Sequence, residues 1–333
     1  MKAMLSTAPG GPDTLVLSDI PSPTAAAGEV RIRVRACGVN YPDTLIIEDK
    51  YQFRPARPFA PGGEVAGEID QVGAGVSDFR VGDRVIGMLG HGGMAEQVVA
   101  RAQKVFHMPD DMPFDESATF VLTYGTSYHA LKQRGQLKPG ESLLVLGAAG
   151  GVGLAACELG RAMGANVIAA VSTEEKLALT MQHGASSGLV YPAGPFDKDG
   201  IKALSAQFKD ACGANGADVI YDAVGGDYAE PALRAIAWEG RFLVVGFPAG
   251  IPRIPLNLPL LKNCQIVGIF WGAWTERDPA ANQQNNRELV EFYRQGKIKP
   301  YVSGRYPLAK AGQAIADLAA RKALGKLVVM IDE

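Results

Sequence analysis

Residues 143–156 are LLVLGAAGGVGLAA, an apolar run that leads into a dense group of glycines. The apolar run has the length and composition of a buried parallel strand. Beyond the glycines, residues 157–164 have the pattern of a helix. The segment therefore predicts a strand, a tight turn and a helix in succession.

The glycine turn has the spacing Ala148-x-Gly150-x-x-Gly153, with alanine in the first place. Glycines at these positions let the backbone approach a pyrophosphate, whose charge the helix N-terminus then stabilises. The spacing alone is a weak signal, because a glycine-rich turn also serves simply to pack a helix closely on a strand. The flanking strand and helix supply the context that a dinucleotide site requires. The residues predicted to bind the cofactor here are Ala149, Gly150, Gly151, Val152 and Gly153.

The bulk composition bounds the class of protein. The chain has 333 residues, 47% of them hydrophobic, which suggests two domains with sizeable cores. A formal net charge of -2 gives no reason to expect a nucleic acid or a membrane surface as partner. No secretory signal is visible at the N-terminus, and the longest apolar run is too short to cross a membrane. The four cysteines are far apart in sequence, which predicts reduced thiols in a cytoplasmic protein.

The pattern of predicted elements changes along the chain. Up to about residue 120 the sequence predicts short strands separated by Gly, Pro and Asp, for example EVRIRVRA at 29–36. Such a series favours a closed or folded-over β domain. From residue 142 onward strands alternate with helices, which favours a doubly wound parallel sheet. The predicted strands of this part are 143–146, 167–171, 188–191, 217–224, 240–246 and 265–270, and its helices include 174–184 and 228–238. Further helices are predicted at 287–295 and 310–322, and a terminal strand at 327–331.

Six segments carry a family resemblance. They are CGVNYPD at 37–43, PGGEVAG at 61–67, GAGV at 73–76, GDRV at 82–85, the glycine turn at 147–153 and ALGKLV at 323–328. Through them the chain resembles the medium-chain dehydrogenase/reductase superfamily, and within it the zinc-free, zeta-crystallin-like quinone oxidoreductase branch. The resemblance spans essentially the whole chain.

This resemblance implies an α/β fold in which a Rossmann domain, residues 123–272, is inserted into a GroES-like folded-over β-barrel. The barrel domain comprises residues 1–122 and 273–333. The family places nicotinamide and substrate in a cleft between the domains. It also implies a homodimer that pairs a late Rossmann strand, here residues 265–270.

The zinc ligands of the superfamily are missing from this chain. Zinc-containing relatives have Cys where this chain has Asn40, and His where it has Gly63. Cys37, Glu64 and His91 are a possible set of ligands, but their spacing does not match a zinc motif, and a buried thiol, a structural carboxylate and a loop histidine explain them better. The sequence therefore predicts no metal. Without a Lewis acid to stabilise an alkoxide, reduction of an activated acceptor is favoured over alcohol oxidation.

The end of the second strand bears on the choice of nicotinamide. An NAD site usually has Asp or Glu about 20 residues past the glycine turn, where this chain has Ser172. Lys176 lies one helical turn further on and can supply positive charge to a 2′-phosphate. In similar quinone oxidoreductases a Lys here and a Tyr at the next strand end, here Tyr191, bind that phosphate. The adjacent Glu174 and Glu175 keep NAD open as the alternative, and the prediction is NADPH.

The family resemblance also implies residues for the chemistry. Asn40 resembles the cleft Asn that positions nicotinamide or substrate, although a turn residue holding Pro42 has the same pattern. Tyr51 resembles a cleft tyrosine that hydrogen-bonds a carbonyl, with water as the alternative proton donor and Tyr41 as a weaker candidate. By the same analogy, Gly246 and Phe247 lie beside the nicotinamide. The aromatic residues that offer a flat wall for a ring substrate, or alternatively buried packing, are Trp271 and Trp274.

These features predict an NADPH-dependent oxidoreductase that passes hydride to a small quinone or α,β-unsaturated carbonyl. One alternative is an enoyl-thioester reductase, which would need a basic entrance for carrier phosphates, for which Lys50, Arg54 and Arg57 are the available cluster. An alternative of another class is a non-catalytic NADPH-binding sensor or structural protein. The glycine turn does not distinguish it from an enzyme.

Overall fold

The structure, a computed structural model, describes residues 1–331 and divides them into two compact units. The first unit comprises residues 1–122 and 300–331, and the second comprises Thr123–Lys299. Within the described residues, no helix has both the length and the apolar character needed to cross a membrane.

The strands of both units are numbered together along the chain. They are β1 (Lys2–Leu5), β2 (Val16–Asp19), β3 (Glu29–Val39), β4 (Glu64–Val72), β5 (Arg84–Met88), β6 (Gln97–Arg101), β7 (Val105–His107), β8 (Ser142–Leu146), β9 (Asn166–Val171), β10 (Ser187–Val190), β11 (Ala217–Asp222), β12 (Ile236–Val244), β13 (Gln265–Gly268), β14 (Val302–Pro307) and β15 (Lys326–Met330).

The α-helices are numbered in the same way. They are α1 (Tyr41–Ile46), α2 (Phe114–Ser117), α3 (Val121–His129), α4 (Gly151–Ala162), α5 (Glu174–Gln182), α6 (Lys198–Cys212), α7 (Ala229–Leu233), α8 (Asn257–Lys262), α9 (Trp271–Arg277), α10 (Pro279–Arg294) and α11 (Ala311–Ala319).

The first unit is built on a seven-stranded sheet with the order β14-β15-β3-β4-β5-β7, in which β6 also pairs with β3. Strand β3 shows the alternation that its sequence predicts, because Val30, Ile32 and Val34 are fully buried while the arginines between them are not. The C-terminal strand β15 pairs antiparallel with β3 and matches Leu327 to Val39. This pairing places the C-terminal strand in the same sheet as β3 to β7, while β1 and β2 form a separate two-stranded sheet.

The second unit is a six-stranded sheet with the order β10-β9-β8-β11-β12-β13, and every pairing in it is parallel. Leu143–Leu146 of β8 are fully buried, as expected for a central strand covered by helices on both faces. The strand order reverses between β8 and β11. In doubly wound sheets ligands bind at such a reversal, beside the carboxyl ends of the strands.

The predicted helix at 228–238 is too long. Helix α7 ends at Leu233 and strand β12 begins at Ile236. The apolar residues that follow Leu233 pair with β11 instead: Ala217 N donates to Ala235 O at 3.0 Å, and Ala217 is in register with Ile236. Pairing across the sheet therefore outweighs the helical spacing of the sequence.

The return to the first unit lies at Pro300, whereas the sequence predicts it at residue 273. Helix α10 accounts for the difference, because it is bonded to the segment that follows α3. Lys132 Nζ donates to Glu288 Oε2 at 2.5 Å, and Gln133 Nε2 donates to Asn285 Oδ1 at 2.9 Å.

Candidate active site

Gly153 allows helix α4 to lie directly against the turn that follows β8. A Cβ atom at Gly153 would come within 2.2 Å of Gly147 O and 2.8 Å of the Cα of Ala148. Both contacts are with backbone, so no side-chain movement relieves them. At Gly150 the nearest atom to an added Cβ is Gly147 O at 3.4 Å. The two glycines therefore differ: Gly153 is required for close packing of the helix on the turn, whereas a side chain at Gly150 would make only ordinary van der Waals contact with the turn.

The N-terminus of α4 presents unpaired backbone donors. Leu154 N donates to Gly150 O, the first hydrogen bond of the helix, and no side chain caps its N-terminus. The N–H groups of Gly151, Val152 and Gly153 precede that bond and therefore have no acceptor within the helix. Together with the helix dipole they form an arrangement suited to a pyrophosphate.

The end of β9 carries the predicted phosphate-binding pair. Ser172 is exposed, and Lys176 Nζ donates to Ser172 Oγ at 2.9 Å. Thr173 caps helix α5 by accepting a hydrogen bond from Lys176 N at 3.3 Å. Because Thr173 begins the helix, Lys176 lies in its first turn, and its side chain extends back to Ser172 at the end of β9. Glu174 and Glu175 are both exposed.

Tyr191 is largely buried, although it follows the adjacent strand end. Its side chain is 7% exposed, and its ring packs against Tyr228 at a centroid distance of 4.9 Å and against Phe208 at 6.3 Å. The structure thus brings Tyr191 to the predicted edge of the sheet, but gives its ring a packing role there.

Asp222 shapes the loop on the other side of the strand-order reversal. The side chain is 1% exposed and accepts hydrogen bonds from Val224 N and Gly225 N, both at 2.9 Å. Burial raises the pKa of this carboxyl to about 6, against the opposing effect of the two N–H groups. Its backbone oxygen accepts from Val245 N at 2.9 Å. The exposed Phe247 side chain and Gly246 follow from there.

In the first unit, Asn40 lies in a buried polar cluster at the start of helix α1. Asn40 is 6% exposed, and its Nδ2 donates to Gly38 O at 3.3 Å. Lys326, also 6% exposed, donates from Nζ to Asn40 Oδ1 and to Val39 O. Asp43 caps the helix by accepting from Asn40 N at 2.8 Å, and its other oxygen accepts from Gly62 N at 2.9 Å.

The carboxyl groups of this cluster are harder to ionise than usual. Burial raises the pKa of Asp43 to about 6 and that of Glu64 to about 7, although the Lys326 charge opposes both shifts. Glu64 Oε1 accepts from Leu122 N at 2.8 Å, while Oε2 is buried without a hydrogen-bond partner.

The two candidate tyrosines differ in environment. Tyr51 is half-buried against the core of the first unit, and both burial and the nearby Asp43 charge raise the pKa of its phenol. It therefore stays protonated and can act as a hydrogen-bond donor at neutral pH. Tyr41 is 38% exposed at the first position of helix α1.

The tryptophans also differ. Trp271 is 7% exposed, and its ring lies so close to Gly125 that an added Cβ there would be 2.8 Å from it. This burial supports the packing alternative for Trp271. Trp274 is half-buried and stacks on His129 at 4.1 Å between ring centroids. It lines a cavity of about 460 Å³ together with Phe270, Arg134 and Arg277.

Two other sets of residues from the sequence analysis are engaged elsewhere. His91 packs between Phe53 and Phe59, and residues 1–331 contain no group of three His, Cys, Asp or Glu side chains arranged to hold a metal. In the basic cluster, Arg57 is paired with Asp49 at 2.8 Å and Lys50 with Glu48. These ion pairs neutralise much of the charge that a carrier phosphate would require.

Sequence reasoning missed Lys326 and Asp222, and considered Glu64 only as a metal ligand. Lys326 was visible within the ALGKLV segment, but a lysine beside a glycine is normally interpreted as a solvated charge. Asp222 lies near the end of the strand predicted at 217–224, at the edge of the sheet where ligands bind, which was a usable signal.

Two family descriptions match the chain in tandem. "Alcohol dehydrogenase GroES-like domain" matches residues 26–110, and "Zinc-binding dehydrogenase" matches residues 151–286. The first supports the barrel prediction for the first unit.

Curated proteins and solved structures match over nearly the full length. The chain is 39% identical over 305 residues to the quinone oxidoreductase-like protein 2 homolog of Nematostella vectensis, covering 90% of this chain and 81% of that protein. It is 33% identical to the quinone oxidoreductase of Homo sapiens, covering 97% and 95%. The structure of Escherichia coli quinone oxidoreductase complexed with NADPH superposes with a TM-score of 0.90 at 27% identity, covering 99% and 100%.

Proposed function

Because the chain belongs to the quinone oxidoreductase branch of the medium-chain dehydrogenase/reductase superfamily, a family of oxidoreductases, we propose that it reduces a quinone or an α,β-unsaturated carbonyl with NADPH. Both acceptors are electron-poor conjugated systems, and hydride addition to them has the same electronic requirement. The observation that carries the proposal is the uncapped N-terminus of α4 at the strand-order reversal, with Lys176 and Ser172 at the next strand end.

The residues at this edge fit the cofactor. The absence of a side chain at Gly150 and the N–H donors of Gly151, Val152 and Gly153 suit its pyrophosphate. The ammonium of Lys176 and the hydroxyl of Ser172 suit a 2′-phosphate, since both donate and neither repels it. A relative of the same fold, the Escherichia coli quinone oxidoreductase, is complexed with NADPH. When bound, NADPH supplies the hydride.

The first unit supplies groups that can orient the acceptor. We assign Asn40 as a donor near the reacting end and Tyr51 as the donor to the acceptor oxygen, with water as the alternative. The Tyr51 phenol is protonated at neutral pH and can donate a hydrogen bond, while burial raises its pKa and so makes it a weaker acid. Tyr41, which is 38% exposed at the first position of α1, is the weaker choice.

The proposed reaction uses no zinc. The position of one family ligand is taken by Asn40, whose amide oxygen is already bound by the Lys326 ammonium, and that of another by Gly63. A cationic neighbour opposes the binding of a second cation at the same oxygen.

A side-by-side assay tests the function. Purified protein is expected to consume NADPH with a simple quinone, a simple enone or both, and to retain that activity after exhaustive chelation. Loss of activity on chelation would overturn the zinc-free assignment. Turnover only with an enoyl-thioester would select the alternative reductase, and NADPH binding without turnover of any acceptor would select the non-catalytic reading.

A homodimer through β13 is part of the proposal. This strand ends the parallel sheet, and its backbone can pair with a second copy. Large apolar side chains surround it: Ile266 is 41% exposed, Leu260 77% and Phe270 61%. An unpaired edge with such neighbours is typical of a subunit interface.

Ile266→Lys is expected to convert a wild-type dimer into a monomer, because it places charge in the proposed interface. Sedimentation or light scattering of both proteins measures the mass. Met181→Lys is the matched control, since Met181 is similarly exposed (44%) on α5 beside the opposite end of the sheet. A monomeric wild type, or a dimeric Ile266→Lys protein, contradicts the proposal.

We also propose that the protein works in the cytoplasm. All four cysteines are free thiols, and Cys37 and Cys157 are buried, which fits a reducing compartment. Cell fractionation tests this assignment.

A further inference from the structure

Lys326 is placed where lysines are rarely found. It begins strand β15 in the first unit with 6% of its surface exposed, and Nζ donates to Val39 O at 2.9 Å and to Asn40 Oδ1. A lysine normally keeps its ammonium in water while its stem lies along the protein surface. A buried lysine therefore needs hydrogen-bond acceptors and opposite charge nearby. Its burial also calls for a functional reason, which the group bound by its ammonium can supply.

The surrounding groups supply that compensation. The carboxyls of Asp43 and Glu64 attract the ammonium, as does the Cys37 group, against the lowering of the Lys326 pKa by burial. Asp43 is itself held by Asn40 N and Gly62 N. The ammonium is thus fixed from several sides, and its hydrogen bond to Asn40 has a defined direction.

The chemistry of the two side chains sets the orientation of the amide. An asparagine amide has an oxygen and a nitrogen of nearly the same size, and it can turn over to exchange them. An ammonium has only donors, so only the amide oxygen can face it. With Oδ1 held by Lys326, Nδ2 is directed to the other side, where it faces Gly38 O at 3.3 Å and the Glu64 carboxyl.

We propose that Lys326 is a positioning residue that fixes the Asn40 amide with Nδ2 as the donor to the acceptor. This inference rests on the proposed function, in which Asn40 helps to orient the acceptor. Lys326 itself touches neither cofactor nor acceptor and acts through Asn40.

A double-mutant cycle tests the coupling. Lys326→Met is expected to lower kcat/KM for the acceptor by about tenfold in the wild-type background and by less than about twofold when Asn40 is already alanine. Equal losses in both backgrounds would overturn the proposal, because a lysine that acts through the Asn40 amide has nothing to position once that amide is absent. Lys322→Met is the matched control, since that lysine is exposed and paired with Asp317 at 3.6 Å, and it is expected to leave kcat/KM unchanged.

Asn40→Asp keeps the test decisive if Lys326→Met does not fold. The aspartate retains an oxygen for Lys326 but has no donor, so activity is expected to fall as far as in Asn40→Ala. Full activity of Asn40→Asp would overturn the proposed role of Nδ2.

The side-chain amide signals of Asn40 in a ¹⁵N correlation spectrum, assigned by their loss in Asn40→Asp, give a readout independent of turnover. They are expected to shift in Lys326→Met or, if that protein does not fold, in Lys326→Arg. Unchanged signals would overturn the positioning role. If the wild type turns over no acceptor, the reductase proposal fails. The spectrum still tests separately whether Lys326 fixes the Asn40 amide.

Discussion

Replacing Gly153 with alanine is expected to lower NADPH affinity by more than about 100-fold and to destabilise the second unit. The new Cβ would stand 2.2 Å from Gly147 O and 2.8 Å from the Cα of Ala148. Helix α4 must then move away from the turn, and overpacking of this kind costs about 1–3 kcal/mol. The movement also displaces the N–H groups that face the pyrophosphate, and each hydrogen bond to a charged group contributes about 1.5–3 kcal/mol.

Cofactor fluorescence titration and thermal unfolding measure the two effects. Gly272→Ala is the matched control in the same unit, because an added Cβ there meets nothing within 4 Å. Gly150→Ala separates binding from folding, since its Cβ would be 3.4 Å from Gly147 O but would enter the space proposed for the pyrophosphate. We expect it to bind NADPH weakly while unfolding like the wild type. Wild-type affinity of Gly153→Ala would contradict the proposed cofactor site.

Replacing Lys176 with alanine is expected to weaken NADPH binding by about 10- to 100-fold and NADH binding by less than about twofold. The two cofactors differ only in the 2′-phosphate, which we assign to Lys176 and Ser172. Lys176 Nζ already donates to Ser172 Oγ at 2.9 Å, so the ammonium and the hydroxyl lie close enough together to bind the same phosphate.

Dissociation constants for both cofactors, measured on the same preparation of each protein, give the ratio of NADPH affinity to NADH affinity. Lys209→Ala is the control: Lys209 is an exposed lysine in the last turn of α6, at the sheet edge opposite the carboxyl ends of the strands. It is expected to leave both affinities unchanged. Equal losses for NADPH and NADH in Lys176→Ala would show that the phosphate assignment is wrong, and would favour Glu174 or Glu175 binding a ribose hydroxyl.

Much of the second unit could be predicted because its signals are local. Four buried residues of β8, a glycine turn and a helix lie within one short segment, and their spacing is enough to identify a strand, a turn and a helix. Ser172 and Lys176 follow the next strand by the same logic. The helix predicted at 228–238 was too long because the signal that ends it is not local. Ile236 pairs with β11, a partner that helical spacing does not reveal.

The amino-acid sequence by itself determined the glycine turn and the alternation of strands and helices that makes the parallel sheet, since each depends on residues close together in the chain. It also determined the family, since each of the six segments that carry the resemblance is a short continuous motif. Only the tertiary structure decided the polar cluster of the first unit. Lys326 reaches Asn40 across 286 positions of sequence because β15 pairs with β3. It likewise decided that Trp271 is buried against Gly125 and that Arg57 is neutralised by Asp49. The amino-acid sequence gives a side chain's charge and hydrogen-bonding capacity. Its partner and its exposure to water are set only when distant strands and helices pack together.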